Sequence, residues 1–144
     1  MSKQQSGFTL VELVVVIVIL GILAATAIPK YASYTTESRI AALNGLAGAV
    51  RSSVAIVQGR YVATGAVASP VTMLDGTTVA VAIASPSQGI PTAAAGGIGA
   101  AVNTGGTFVL NGAGTQYDFP TVIANCFVTY APVTGAATVT SAGC

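Results

Sequence analysis

From Leu13 to Ile28 the chain reads LVVVIVILGILAATAI, a run without a charge, and extending it back to Phe8 adds only Thr9 and Glu12 as interruptions. At the α-helical rise the segment from Phe8 to Ile28 is about 31 Å long, the hydrocarbon thickness of a bilayer. Its β-branched Val and Ile are poor helix formers in water, but in lipid every backbone polar group must be satisfied within the segment, so helix is the predicted state. Pro29 lacks a backbone donor and is expected to bend or loosen that helix near Gly21 to Ala25 without breaking it. Beyond it Ile40, Leu43, Ala47, Val50, Val54 and Val57 recur at spacings of 3, 4, 3, 4 and 3, one apolar stripe along a continuing helix. The pattern predicts a helix over residues 8–58, with residues 8–29 as the membrane half, and a stripe that needs a sheet to cover it.

After Gln58-Gly59 the period changes, which makes residues 59–144 a separate, strand-rich head. Val71 to Leu74 and Thr77 to Ile83 read as a hairpin, with Asp75-Gly76 supplying a left-handed turn and Val79, Val81 and Ile83 sharing one face. Residues 84–106 are rich in Gly, Ala, Pro and Ser and read as an irregular loop with room for one short helical turn. Thr107 to Leu110, Cys126 to Tyr130 and Ala137 to Thr140 complete a candidate antiparallel sheet of four or five strands. The predicted class is α+β, a long N-terminal helix packed on a C-terminal antiparallel sheet.

Composition narrows the chemistry. Of 144 residues, 5 are Lys or Arg and 4 are Asp or Glu, 6% of the chain against about 25% in an average soluble domain. No cluster of either sign exists, so binding to nucleic acid through phosphate neutralisation has no footing. Ser and Thr are abundant, but without His and with only Arg60, Asp75 and Asp118 charged after Gly59, no base is available to activate a nucleophile, and no enzyme activity or cofactor is expected. Asp75 and Asp118 read as a turn and a loop residue and not as ligands of a metal. Cys126 and Cys144 would form a single disulfide if the head lies in an oxidising compartment, closing a loop that ties down the end of the chain; two free thiols are the alternative.

Three readings of the N-terminal segment remain open on general rules. A secretory signal peptide would use Lys3 as its positive region and Ala25-Thr26-Ala27 as a cleavage site, but Glu12 abuts the apolar core and the helical pattern resumes after Pro29. A plain single-pass anchor leaves Glu12 unexplained. A carboxylate deep in hydrocarbon costs about 2.5 kcal/mol or more, so an acid at this place calls for a cationic partner. An amino terminus created just upstream would supply one.

Ser6-Gly7-Phe8-Thr9-Leu10-Val11-Glu12, followed by the apolar run and Pro29, resembles the leader-peptidase site of type IV pilins and pseudopilins. The resemblance implies cleavage after Gly7, so that residues 1–7 are a leader, and N-methylation of Phe8 as the new terminus. It implies that Glu12, with Thr9 beside it, serves assembly by neutralising the amino terminus of a neighbouring subunit. Gly21 and Pro29 match positions where helices of the family kink or melt in the fibre, and the family commonly closes its C-terminal region with a disulfide, as Cys126 and Cys144 would do here. Implied partners are further copies of the chain, a prepilin peptidase, and an assembly platform with its ATPase, since this chain has no phosphate-binding loop of its own. The implied location is the inner membrane with a cytoplasmic amino terminus before assembly, and an extracellular pilus afterwards.

Pro29-Lys30-Tyr31 and Leu43-Asn44-Gly45-Leu46 are similar to the mannose-sensitive haemagglutinin branch of the family. The expected function is that of a pilus subunit, with a pseudopilin of type II secretion or a signal-peptide-cleaved secreted binding domain as the alternatives. Adhesion, twitching motility, DNA uptake and surface sensing are roles such fibres serve. Ala41, Ala42, Gly45, Gly48, Ala49 and Ser52 line the other sides of the helix, where small side chains would let helices of neighbouring subunits approach closely, although an Ala-rich composition alone accounts for them as well. Tyr31 and Tyr34 follow the apolar run at the level where aromatic rings favour the membrane interface.

Overall fold

The computed structural model describes the backbone of residues 8–144 and their side chains apart from residues 29–33. Gly7 and the rest of the expected leader lie outside the described residues, as do the side chains of Pro29 and Tyr31. The chain divides into two units, Met1–Glu37 and Ser38–Cys144, and helix α1, Leu10–Ala63, contributes to both.

In the first unit every described side chain from Phe8 to Thr26 is exposed. Leu10–Ile28, 19 residues, is long and apolar enough to cross a membrane. Exposed apolar surface on this scale marks a site of membrane or protein association. The helix assignment runs through Gly21 and Pro29 without interruption.

In the second unit the predicted stripe is the buried face of α1: Leu43, Ala47, Val50, Val54 and Val57 are all buried, and Leu46 joins them. Ile40, at the edge of the unit, is half-buried. The helix runs past the expected end at Gln58 because Tyr61 prolongs the stripe by one turn, is buried, and donates its hydroxyl to Ala66 O at 2.8 Å. It stops where Gly65 takes φ +94°, with Ala66 N–H bonded to Tyr61 O and Gly65 N–H to Val62 O. That pair of bonds satisfies the last free carbonyls of the helix and is the Schellman termination. Gly65, and not Gly59, is the stop signal.

The strands form two sheets. β1, Val71–Thr72, pairs antiparallel with β2, Thr78–Val79. The expected hairpin has a three-residue connection, Leu74-Asp75-Gly76, closed by Met73 N–H to Thr77 O, with Gly76 at φ +85° in the left-handed position. Val79 and Val81 are buried as predicted, but Ile83 is exposed. The strand period ends before it: Val81 bridges to Pro91 and the chain then turns, with Gly89 N–H bonded to Ala82 O.

The second sheet has the order β3-β4-β5-β6, all antiparallel: β3 Val109–Leu110, β4 Gln116–Asp118, β5 Phe127–Ala131 and β6 Ala136–Thr140. β4 is the strand that the sequence pattern does not announce, because a lone buried Tyr117 between two polar residues carries too little alternation. Val128, Tyr130 and Ala137 of this sheet share a core cluster with Leu43, Val50 and Val54 of α1. The irregular stretch before β3 contains one short helix, α2, Ile98–Ala101, and it is no surface loop: Ile90, Pro91, Ile98 and Val102 are buried. Two buried hydroxyls hold it, Tyr117 donating to Ile98 O at 3.2 Å and Tyr130 to Pro91 O at 2.6 Å. Cys126 and Cys144 are disulfide-bonded with Cα atoms 5.0 Å apart, a closure worth about 3 kcal/mol in the chain-entropy account.

Candidate functional site at the start of the apolar helix

Thr9 is the residue immediately before α1, and its carbonyl accepts the first helical bond, from Leu13 N–H at 3.3 Å. Its hydroxyl oxygen accepts from Glu12 N–H at 3.2 Å, while Glu12 Oε2 accepts from Thr9 N–H at 2.9 Å and from the Thr9 hydroxyl at 2.7 Å. This reciprocal arrangement is a capping box: a hydroxyl at the N-cap and a carboxylate three residues on satisfy each other's backbone donors. The carboxylate also lies in the first turn, where the helix dipole favours negative charge. The Thr-x-x-Glu spacing ahead of an apolar run is a readable signal of this box. Sequence reasoning that looks only for a partner on another chain passes over it.

The box has a chemical consequence. Both bonds that Thr9 donates, from its backbone N–H and its hydroxyl, end on Oε2, and Oε1 accepts none from Thr9. Glu12 is thus oriented by its own chain with half of its carboxylate left for another donor. Phe8, the residue whose amino group a cut after Gly7 would free, is 82% exposed and adjoins the box. Gly21 carries open space where a Cβ would stand, so packing within this chain does not demand glycine there. Thr26 donates its hydroxyl back to Leu23 O at 2.9 Å, so its polar group is satisfied inside the apolar helix.

The remaining expected residues lie in the second unit. The disulfide residues are there, and Arg39 Nη1 donates to Cys144 O at 3.1 Å beside them. Asp75 Oδ1 accepts Thr77 N–H at 2.9 Å, and this bond holds the Asp75 carboxyl below the usual carboxylate range. It is a turn residue, as its sequence context suggests. Among the described residues no group of three metal-ligating side chains gathers. On the helix Gly45 and Ala49 are exposed and Gly48 half-buried, with nothing within 4 Å of a Cβ placed on either glycine, whereas Ala42 packs against the core cluster.

Residues 2–28 match the family described as the prokaryotic N-terminal methylation motif. The chain is 39% identical over 66 residues to a fimbrial protein of Pseudomonas aeruginosa, covering 44% of this chain and 43% of that one. It is 43% identical over 54 residues to a type IV major fimbrial protein of Dichelobacter nodosus, covering 38% and 35%. It is 47% identical over 60 residues to the major component of the type IV narrow pilus of Thermus thermophilus, covering 40% and 52%. The matches span about a third to a half of these relatives' own length. No solved structure matches the chain.

Proposed function

We propose that this chain, a type IV pilin-family protein by its N-terminal segment, is a structural subunit that polymerises into an extracellular pilus after its leader is removed. The observation that carries the reading is the capping box itself, because it sets an oriented carboxylate in the first turn of the 19-residue span Leu10–Ile28, which is left unburied among the described residues. Hydrophobic length accounts for storage in the membrane. Hydrolysis of the Gly7–Phe8 bond would leave an ammonium group on Phe8, and N-methylation would keep its charge. The Phe8 ammonium of one subunit and Glu12 of another then form a pair whose attraction is strong where water is excluded, which favours transfer of the helix from lipid to a bundle of like helices.

The names of the relatives support a fibre-forming subunit, and an inner-membrane precursor with a cytoplasmic amino terminus fits cleavage by a prepilin peptidase. An assembly platform and its ATPase would supply the work of extraction. Within the family a pilus subunit is favoured over a pseudopilin, since the matched relatives are named as fimbrial and pilus proteins. The residues around Pro29 and Leu43 are similar to the mannose-sensitive haemagglutinin branch.

Mass spectrometry of the mature amino terminus tests the reading. The expected product begins at N-methyl-Phe8; a terminus at Ile28, left by a cut after Ala25-Thr26-Ala27, would make the chain a secreted domain and overturn it. Electron microscopy of sheared surface material should then show fibres containing this chain, and their absence alongside correct processing would favour the pseudopilin.

A further inference from the structure

β6 is the last strand of the four-stranded sheet, and the backbone groups that it turns away from β5 can be identified. Tyr130 sends its N–H to Thr115 O, on the β4 side, at 2.7 Å. The Tyr130 and Ala137 pair is therefore one of those that exchange no bonds across β5 and β6, and Ala137 directs its N–H and C=O out of the sheet. Val139, two residues on, does the same. Arg51 Nη2, from α1, takes the Ala137 carbonyl. Among the described residues no backbone group pairs with Val139 on that side. The strand itself, Ala-Ala-Thr-Val-Thr, contains no charge and no proline, a composition that invites edge-to-edge pairing.

We propose that Arg51 guards this edge against pairing with the β6 edge of a second copy of the chain. Antiparallel pairing of two such edges requires the carbonyl that Arg51 occupies. It would also carry two guanidinium groups into one seam, and neither β5 nor β6 offers a carboxylate to neutralise them. The device matters because the apolar segment Leu10–Ile28, exposed and long enough to cross a membrane, would bring copies together in lipid or detergent. With the edge closed, association is confined to the helices.

The test uses the full chain in detergent micelles, with Arg51→Met keeping the aliphatic stem and removing the donor. Arg51→Met is expected to develop thioflavin fluorescence and a fibre-diffraction spacing of about 4.7 Å on incubation, while the unmodified chain does not. Adding Thr138→Lys, at an exposed position on the strand, places a new charge on the edge and should return both signals to the unmodified level. Arg51→Met behaving like the unmodified chain would overturn the proposal. So would equal signals from Arg51→Met and the double variant, because general unfolding and not edge pairing would then be the cause.

Discussion

Thr9 and Glu12 carry two separable duties, capping and charge. Glutamine fits the third helical position of a capping box as well as glutamate does, so Glu12→Gln removes charge while leaving the cap. Thr9→Ala removes the cap hydroxyl at a cost of about 1 kcal/mol and leaves the charge. If Glu12 serves assembly through its charge, Glu12→Gln should abolish fibres in the sheared fraction with membrane insertion unchanged, and Thr9→Ala should lower yield no more than about tenfold. Fibre loss confined to Thr9→Ala would instead make the cap the essential feature. The match of residues 2–28 to the N-terminal methylation motif was legible because a motif of adjacent positions is local. The bond that orients Glu12 is equally local, yet it emerges only once the position of the helix start is known.

At the scale of elements, helix α1 separates positions that its sequence presents alike. Ala42 and Gly45 are both small, but Ala42 touches the core while Gly45 faces open space. Glycine inside a helix costs roughly 1 kcal/mol relative to alanine, and among the described residues no close contact at Gly45 offsets it. If close approach by neighbouring helices is the reason, Gly45→Trp should leave the thermal melting of the subunit within a few degrees of normal and still reduce fibre yield. Ala42→Trp should lower the melting temperature itself. Normal fibre yield from Gly45→Trp would remove the case for close helix contact at that face. The end of the helix shows the same limit of sequence reading: Gly59 looks like a terminator, but a buried Tyr61 and the left-handed Gly65 move the stop to Ala63.

At the scale of the molecule, the head is held by hydroxyls and backbone carbonyls with few ions. Arg39, Arg51 and Arg60 each donate to a backbone carbonyl, of Cys144, Ala137 and Thr72. Buried tyrosines make the fold sensitive to alkali. Burial pushes the Tyr117 hydroxyl up to about 12 and raises that of Tyr130, with the neighbouring Tyr117 adding to the second effect. Below pH about 10 both folded and unfolded chains keep these protons, so stability does not vary with pH on their account. Above it the unfolded chain releases protons that the folded chain retains, and stability must fall as pH rises. Denaturant midpoints measured from pH 8 to 12 should decline beyond about pH 10, and Tyr130→Phe should flatten part of that slope while lowering stability at neutral pH.

The sequence by itself determined the apolar helix, its carboxylate, the N-terminal methylation motif and the stripe on α1, because each rests on neighbours one to four residues apart. Tertiary structure alone decided the strand order of the four-stranded sheet, why β4 exists with a single buried Tyr117, and why residues 84–106 pass through the core. Those features depend on hydrogen bonds between distant residues, Tyr130 to Pro91 and Tyr117 to Ile98, whose formation no local period encodes.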